Sequence, residues 1–324
     1  MLVVYIGVGI ISLLLILLFL LSYGIHRSVF KKRYEPDGII RYYTIEDFTG
    51  LTAEAIEIPT KKGILRGFIY SYPIQQPKNI LIFAHGMWGS HSAYVQDIAY
   101  MASQGFNVLG FDYYGTERSD GKNIKGLGNS LRSLDEAVAF VKKKYKAPIY
   151  VMGHSWGGYA ALGIAKYHKD IKGIVAMAPF ISLSQVLSHL LPKWLRITIP
   201  FIVLIDELHC GRYSLIHAKT ILKSTNIPTL IIHSKDDTMI PYKTSTEYLM
   251  KHIVNSNLSY YIVEDKGHNP EYSAEAIAYT RKSYQQIKEL KAEDVLAYRK
   301  GLDYHKMGEL DSKVMEIIVA FLKK

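Results

Sequence analysis

The chain has 324 residues, 49% hydrophobic and 21% charged, so it can bury a sizeable core and lacks the composition of a disordered chain. Its formal net charge is +10, but no zinc-ligand spacing, RNP-like motif or basic heptad helix accompanies it; an anionic lipid surface accounts for the charge better than nucleic acid does. One cysteine, Cys210, cannot make an internal disulfide, so no oxidising compartment is called for and an incidental role is expected.

In chain order, Leu2 to Ile25 carries no charged side chain and is dense in Leu, Ile, Val and Phe. About 20 apolar residues cross a hydrocarbon core as a helix. A cleaved signal peptide would begin with a basic stretch and hold only about 7–15 apolar residues, and a buried core helix would show a polar face. The segment therefore reads as a transmembrane anchor at 1–25, with a juxtamembrane linker at 26–52. Arg27, Lys31, Lys32 and Arg33 crowd its C-terminal flank, and the positive-inside rule assigns that flank and the rest of the chain to the cytoplasm. The expected location is a cell membrane, single-pass.

Residues 53–324 alternate strand and helix. Strands are predicted at Ala53–Ile58, Ile64–Tyr72, Asn79–Ala84, Asn107–Asp112, Ile149–Met152, Gly173–Ala178, Thr229–His233 and Ser259–Val263. The middle ones are unbroken apolar runs, as strands buried on both faces are. A helix at Leu131–Tyr145 puts Leu134, Val138 and Val141 on one face. This pattern predicts an α/β fold, a mostly parallel doubly wound sheet, with the first two strands as an antiparallel hairpin at its edge. The stretch 181–224 interrupts the alternation and reads as a helical cap insertion. A second helical stretch spans 269–310, and the last segment presents Val314, Ile317, Ile318, Phe321 and Leu322 on one helical face.

The strongest local signal is Gly153-His154-Ser155-Trp156-Gly157, a G-x-S-x-G between an apolar strand and a small-residue helix predicted at Tyr159–Lys166. A sharp strand-to-helix turn strains the serine backbone and needs glycine two positions either side. The helix start then aims backbone N–H groups at an oxyanion. A serine hydroxyl needs a base. Asp236 and Asp237 follow one strand and His268 follows the last, both at carboxyl ends where ligands gather in such sheets. His268 is the candidate base, whereas His233 and His252 read as structural.

On these residues the chain resembles the α/β-hydrolase superfamily, and within it is similar to the serine aminopeptidase-like and monoacylglycerol lipase-like group, from about Ala53 to Lys324. The resemblance implies a Ser155–Asp237–His268 triad, choosing Asp237 over Asp236 by spacing. It also implies that His85-Gly86-Met87-Trp88-Gly89 is an oxyanion-hole turn, with the backbone amides of Met87 and Trp156 as donors and His85 bracing the turn. One departure stands out: Asp112-Tyr113-Tyr114-Gly115-Thr116-Glu117-Arg118-Ser119 lies where relatives carry D-x-R-G-x-G-x-S, with Tyr114 and Glu117 replacing the arginine and second glycine. That puts substrate shape in doubt more than activity.

No phosphate loop, dinucleotide fingerprint or H-E-x-x-H is present, and the implied chemistry needs no cofactor and no metal. The reading is a membrane-anchored serine hydrolase of carboxylic esters, with lipid or long-acyl esters favoured by the anchor and the apolar insertion. A peptidase of the aminopeptidase type and an inactive membrane-tethered binding module are the alternatives. Partners expected are a small-molecule or lipid-derived acyl substrate and the membrane, with no nucleic acid.

Overall fold

The apolar runs assemble into one eight-stranded sheet in the order β1-β2-β4-β3-β5-β6-β7-β8. The computed structural model describes residues 1–36, 41–73 and 79–324, so the part of the expected linker at 37–40 lies outside it. β1 (Thr52–Thr60) and β2 (Gly63–Ser71) pair antiparallel from Thr52↔Ser71 to Thr60↔Gly63, and Lys61-Lys62 is the two-residue turn of the expected edge hairpin. β2 also runs antiparallel to β4 (Phe106–Phe111). β3 (Asn79–Ala84), β4, β5 (Ile149–His154), β6 (Gly173–Met177), β7 (Thr229–Ser234) and β8 (Leu258–Val263) are parallel. β6 is buried along its whole length and β3 at all but its first residue, which is why neither alternates in sequence.

The helices, in chain order, begin with α1 (Leu2–Phe30), α2 (Val95–Ser103), α3 (Asn129–Lys144) and α4 (Trp156–Ile164). The stretch predicted as a cap holds α5 (Leu183–Leu190), α6 (Ile199–Cys210) and α7 (Ala218–Leu222). Beyond them come α8 (Thr246–His252), α9 (Ala274–Glu289), α10 (Ala292–Lys300), α11 (Tyr304–Met307) and α12 (Ser312–Leu322). Alternate strand residues feed two layers. Ile80 and Ile82 pack in the layer of Leu134, Val138 and Ala160 from α3 and α4, while Leu81 and Phe83 pack in that of Ile98, Met101, Val314 and Ile318 from α2 and α12. The final helix thus packs back on the sheet, as its apolar face predicted.

The N-terminal boundary needs correction. α1 does not stop at residue 25 but runs 29 residues to Phe30, so 26–30 are helix rather than linker. Ser22, His26 and Phe30, four apart and therefore on one face, are buried. α6 is the partner that holds these turns: Phe19 meets Phe201 edge-on with ring centroids 6.3 Å apart, and His26 Nε2 lies 3.3 Å from Asp206 Oδ2. Leu2–Phe30 has a mean hydropathy of 3.0 in its most apolar window and is long and apolar enough to cross a membrane.

Candidate active site

β5 ends at His154 and α4 begins at Trp156, so Ser155 alone makes the turn. Its φ of 55° and ψ of −111° are a conformation that costs a non-glycine residue about 1–3 kcal/mol. The flanking glycines make it possible by close approach. A Cβ on Gly157 would lie 1.9 Å from the Ala84 carbonyl oxygen, and one on Gly153 would lie 2.4 Å from the Gly157 oxygen. The helix starts earlier than the Tyr159–Lys166 read from sequence, because the turn itself leads directly into helical backbone.

His268, on the loop after β8, reaches Ser155: its Nε2 is 2.9 Å from Ser155 Oγ. Its Nδ1 is 2.8 Å from Asp237 Oδ2, on the loop after β7. A carboxylate only accepts, so Nδ1 carries the proton and Nε2 is free to accept the serine hydroxyl. Asp237 Oδ1 accepts from the backbone N–H groups of Met239 (2.8 Å) and Ile240 (2.9 Å), and Oδ2 also accepts from His233 Nε2 at 3.1 Å. Burial by itself would raise this carboxyl's pKa, but the hydrogen bonds from His233 and His268 and the His268 charge outweigh it and hold it well below the usual carboxylate range. Asp236 does not touch His268. It accepts from Gly267 N–H at 3.0 Å and from Arg281 Nη2 at 3.0 Å, and so shapes the loop that carries the histidine. His233 is structural as read, bracing Asp237; His252 lies exposed on α8 and donates to the Tyr248 carbonyl.

The turn after β3 packs against the elbow. His85 Nδ1 donates to the Gly86 carbonyl at 2.8 Å, its ring stacks on Tyr113 at 3.8 Å, and burial lowers its pKa to about 4, so it is a neutral brace. Neither the Met87 nor the Trp156 N–H has a protein acceptor among the described residues, and the turns that carry them adjoin where Gly86 meets His154. The departing loop is well braced: Asp112 accepts from His91 Nδ1 (2.8 Å), His91 N (3.0 Å) and Arg118 N (3.2 Å), and Tyr114 is buried with its hydroxyl donating to the Gly63 carbonyl at 3.3 Å. Cys210 is buried, its thiol pKa pushed up to about 12 by desolvation, as suits an unreactive cysteine.

Two residues escaped the sequence reading. His154, between Gly153 and Ser155, sends Nε2–H to the His268 carbonyl at 2.8 Å, and its Nδ1 accepts from the Tyr94 hydroxyl at 2.8 Å. Tyr94 in turn accepts from Gly86 N–H at 3.2 Å. Burial first, then the neighbouring His268, lowers the His154 pKa to about 3, so it stays neutral and keeps this donor–acceptor pattern. The elbow, the turn after β3 and the histidine loop are thereby joined. A bulky polar residue before Ser155 is the only sequence signal, and it names no partner. Behind them Asp97 and Glu271 are buried with no hydrogen-bond partner on either carboxyl group among the described residues, and burial raises both pKa values, that of Asp97 to about 7.

The chain is similar to several known proteins. A family model described as serine aminopeptidase, S33, matches residues 75–209. The protein named YfhR of Escherichia coli strain K12 is 27% identical over 201 residues, 60% of this chain and 66% of its own, so the chain spans just under two thirds of that relative. The cutinase est2 of Thermobifida alba is 26% identical over 169 residues, 52% of this chain and 54% of that one. Among solved structures, an esterase of Pyrococcus furiosus superposes with a TM-score of 0.58 at 23% identity, covering 80% of this chain and 97% of that one.

Proposed function

The chain belongs to the α/β-hydrolase superfamily, and from that premise we propose that it is a membrane-anchored serine hydrolase cleaving carboxylic esters through an acyl-enzyme. The observation that carries the proposal is the unbroken line Ser155 Oγ–His268 Nε2 at 2.9 Å and His268 Nδ1–Asp237 Oδ2 at 2.8 Å. His268 Nε2 takes the Ser155 proton as Oγ bonds to the carbonyl carbon. The oxygen becomes an oxyanion held by the Met87 and Trp156 amides, each worth about 3 kcal/mol by the measured scale of such donors. Collapse breaks the bond to the leaving alcohol, which takes the proton from His268. Water repeats the sequence and releases the acid, while Asp237 fixes the imidazole tautomer and stabilises its charged form.

Anchoring by α1, rather than removal of it as a signal, is favoured by its buried face. Cleavage would strip Ser22, His26 and Phe30 from the cap and expose the α6 side chains they cover. The cap bears exposed Trp194 (74%), Ile197 and Leu208 (73%) close in sequence to the residues α1 packs on, which suits a lipid surface and favours lipid-derived or long-acyl esters. The cytoplasmic orientation rests on Arg27, Lys31, Lys32 and Arg33. A peptidase of the aminopeptidase type is the second reading, favoured by the description of the matching family model. Ser155→Ala in the purified full chain is expected to abolish hydrolysis of short-acyl p-nitrophenyl esters while leaving the thermal midpoint within a few degrees. Full activity in that variant overturns the proposal, and faster turnover of aminoacyl amides than of esters moves it to the second reading.

A further inference from the structure

α1 is longer than the hydrocarbon it would cross. At about 1.5 Å per residue, Leu2–Leu21 already covers about 30 Å, so the turns from Tyr23 to Phe30 fall at the depth of lipid headgroups. At that depth α1, α6 and the loop before α3 line a half-open cavity of about 80 Å³, between two and three times the share of a liquid water at ~30 Å³. Arg27 and Lys31 of α1 and Lys125 of the loop line it. None of these three cations forms an ion pair among the described residues, and the Arg27 guanidinium hydrogen-bonds there to the Tyr23 hydroxyl alone, at 3.3 Å.

No carboxylate lines the cavity. Asp206 lies behind its His26 wall, fully buried, with its oxygens taken by the N–H groups of Leu127 (2.6 Å) and Gly128 (3.2 Å), by Ser214 Oγ and by His26. Two further features point to a ligand. Asn123 lines the cavity, and its Oδ1 is buried with no donor among the described residues. Lys125 is held at φ 72°, a strained conformation for a residue with a side chain. Cations without ion-pair partners that line one cavity with a buried acceptor suit a phosphodiester whose head carries a hydroxyl: the anion pairs with the cations and the hydroxyl donates to Asn123.

We infer that this anchor–cap junction binds the phosphodiester headgroup of an anionic membrane lipid, with Arg27, Lys31 and Lys125 as partners of the phosphate. The inference rests on the reading of α1 as an anchor. It makes the lipid a bridge between the membrane helix and the cap.

The test uses the full chain in detergent micelles, with lipid retention read by native mass spectrometry. The probes are dioleoylphosphatidylglycerol, dioleoylphosphatidylcholine, dioleoylglycerol and inorganic phosphate. One phosphatidylglycerol should be retained per chain in preference to the other two lipids. Arg27→Gln, Lys31→Gln and Lys125→Gln should each weaken its retention about fivefold, and Lys146→Gln on a remote surface should not. Equal retention of all three lipids, or unchanged retention in the three variants, overturns the inference. Displacement by equimolar inorganic phosphate assigns the cavity to a soluble ion and overturns the lipid assignment. Alkaline carbonate extraction of membranes separates the two readings: release of the chain sinks the anchor and the site together, whereas a retained chain without selectivity sinks the site alone.

Discussion

Asp237→Asn tests the triad with almost no change of shape. Asp237 faces four donors: Met239 and Ile240 N–H on Oδ1, and His268 Nδ1 and His233 Nε2 on Oδ2. An amide offers one oxygen and one NH2, so in either orientation the NH2 meets two N–H groups. Turned to the backbone, it leaves two buried donors unpaired, at about 1–3 kcal/mol each, so about 2–6 kcal/mol in all. Turned to the imidazole, it is relieved only if His268 moves its proton to Nε2, where it cannot accept from Ser155. The expected loss in kcat is about 10⁴-fold, the size reported for the same change in a Ser-His-Asp triad. Initial rates on p-nitrophenyl butyrate near pH 8 measure it, alongside urea melts from pH 7 to pH 2. Because the folded-state pKa of Asp237 is depressed, its contribution to stability is present above the unfolded value near 3.9 and is lost as pH falls below that. Asparagine does not titrate, so the variant's stability deficit should shrink below about pH 4. Activity within tenfold of the parent, or a 10⁴-fold loss from Asp236→Asn instead, would refute the reasoning.

Three further substitutions probe the surroundings. His154→Phe removes the donor to the His268 carbonyl and the acceptor of the Tyr94 hydroxyl, so kcat for the same ester should fall about 10–100-fold with KM unchanged, as displacement of a catalytic group does; an unchanged kcat contradicts this. Asp97→Asn removes a buried carboxyl group whose pKa is raised. The acid's penalty grows as pH rises from its unfolded value toward about 7, so the variant should be more stable than the parent at pH 8 and gain little at pH 4, by urea midpoints. Asp206→Ala strips the acceptor from His26, Leu127, Gly128 and Ser214 at once and should cost about 3–5 kcal/mol, read as a lowered thermal midpoint of the full chain.

The elbow was legible because its strain allows few residue types: the 1.9 Å and 2.4 Å approaches at Gly157 and Gly153 leave a fixed spacing in the sequence. The sheet was legible because burial on both faces leaves unbroken apolar runs. Adjacent carboxylates differ only in the direction the turn after β7 points them, so Asp236 and Asp237 could be separated only through resemblance; the fold then sends Asp236 to Arg281 and Asp237 to His268. The network of His154 joins residues 60 and 114 positions apart, and no local pattern encodes that. The buried face at the end of α1 is illegible for the same reason. The residues that bury Ser22 and His26, Thr198 at the start of α6 and Asp206 within it, lie some 180 residues on.

The central claim is that Ser155 is an activated nucleophile. Incubating the full chain with a fluorophosphonate probe and locating the adduct by peptide mass spectrometry tests this most directly. A single adduct on Ser155 is expected, absent in Ser155→Ala and strongly slowed in His268→Ala. An unlabelled folded chain, or an adduct on another residue, would contradict it.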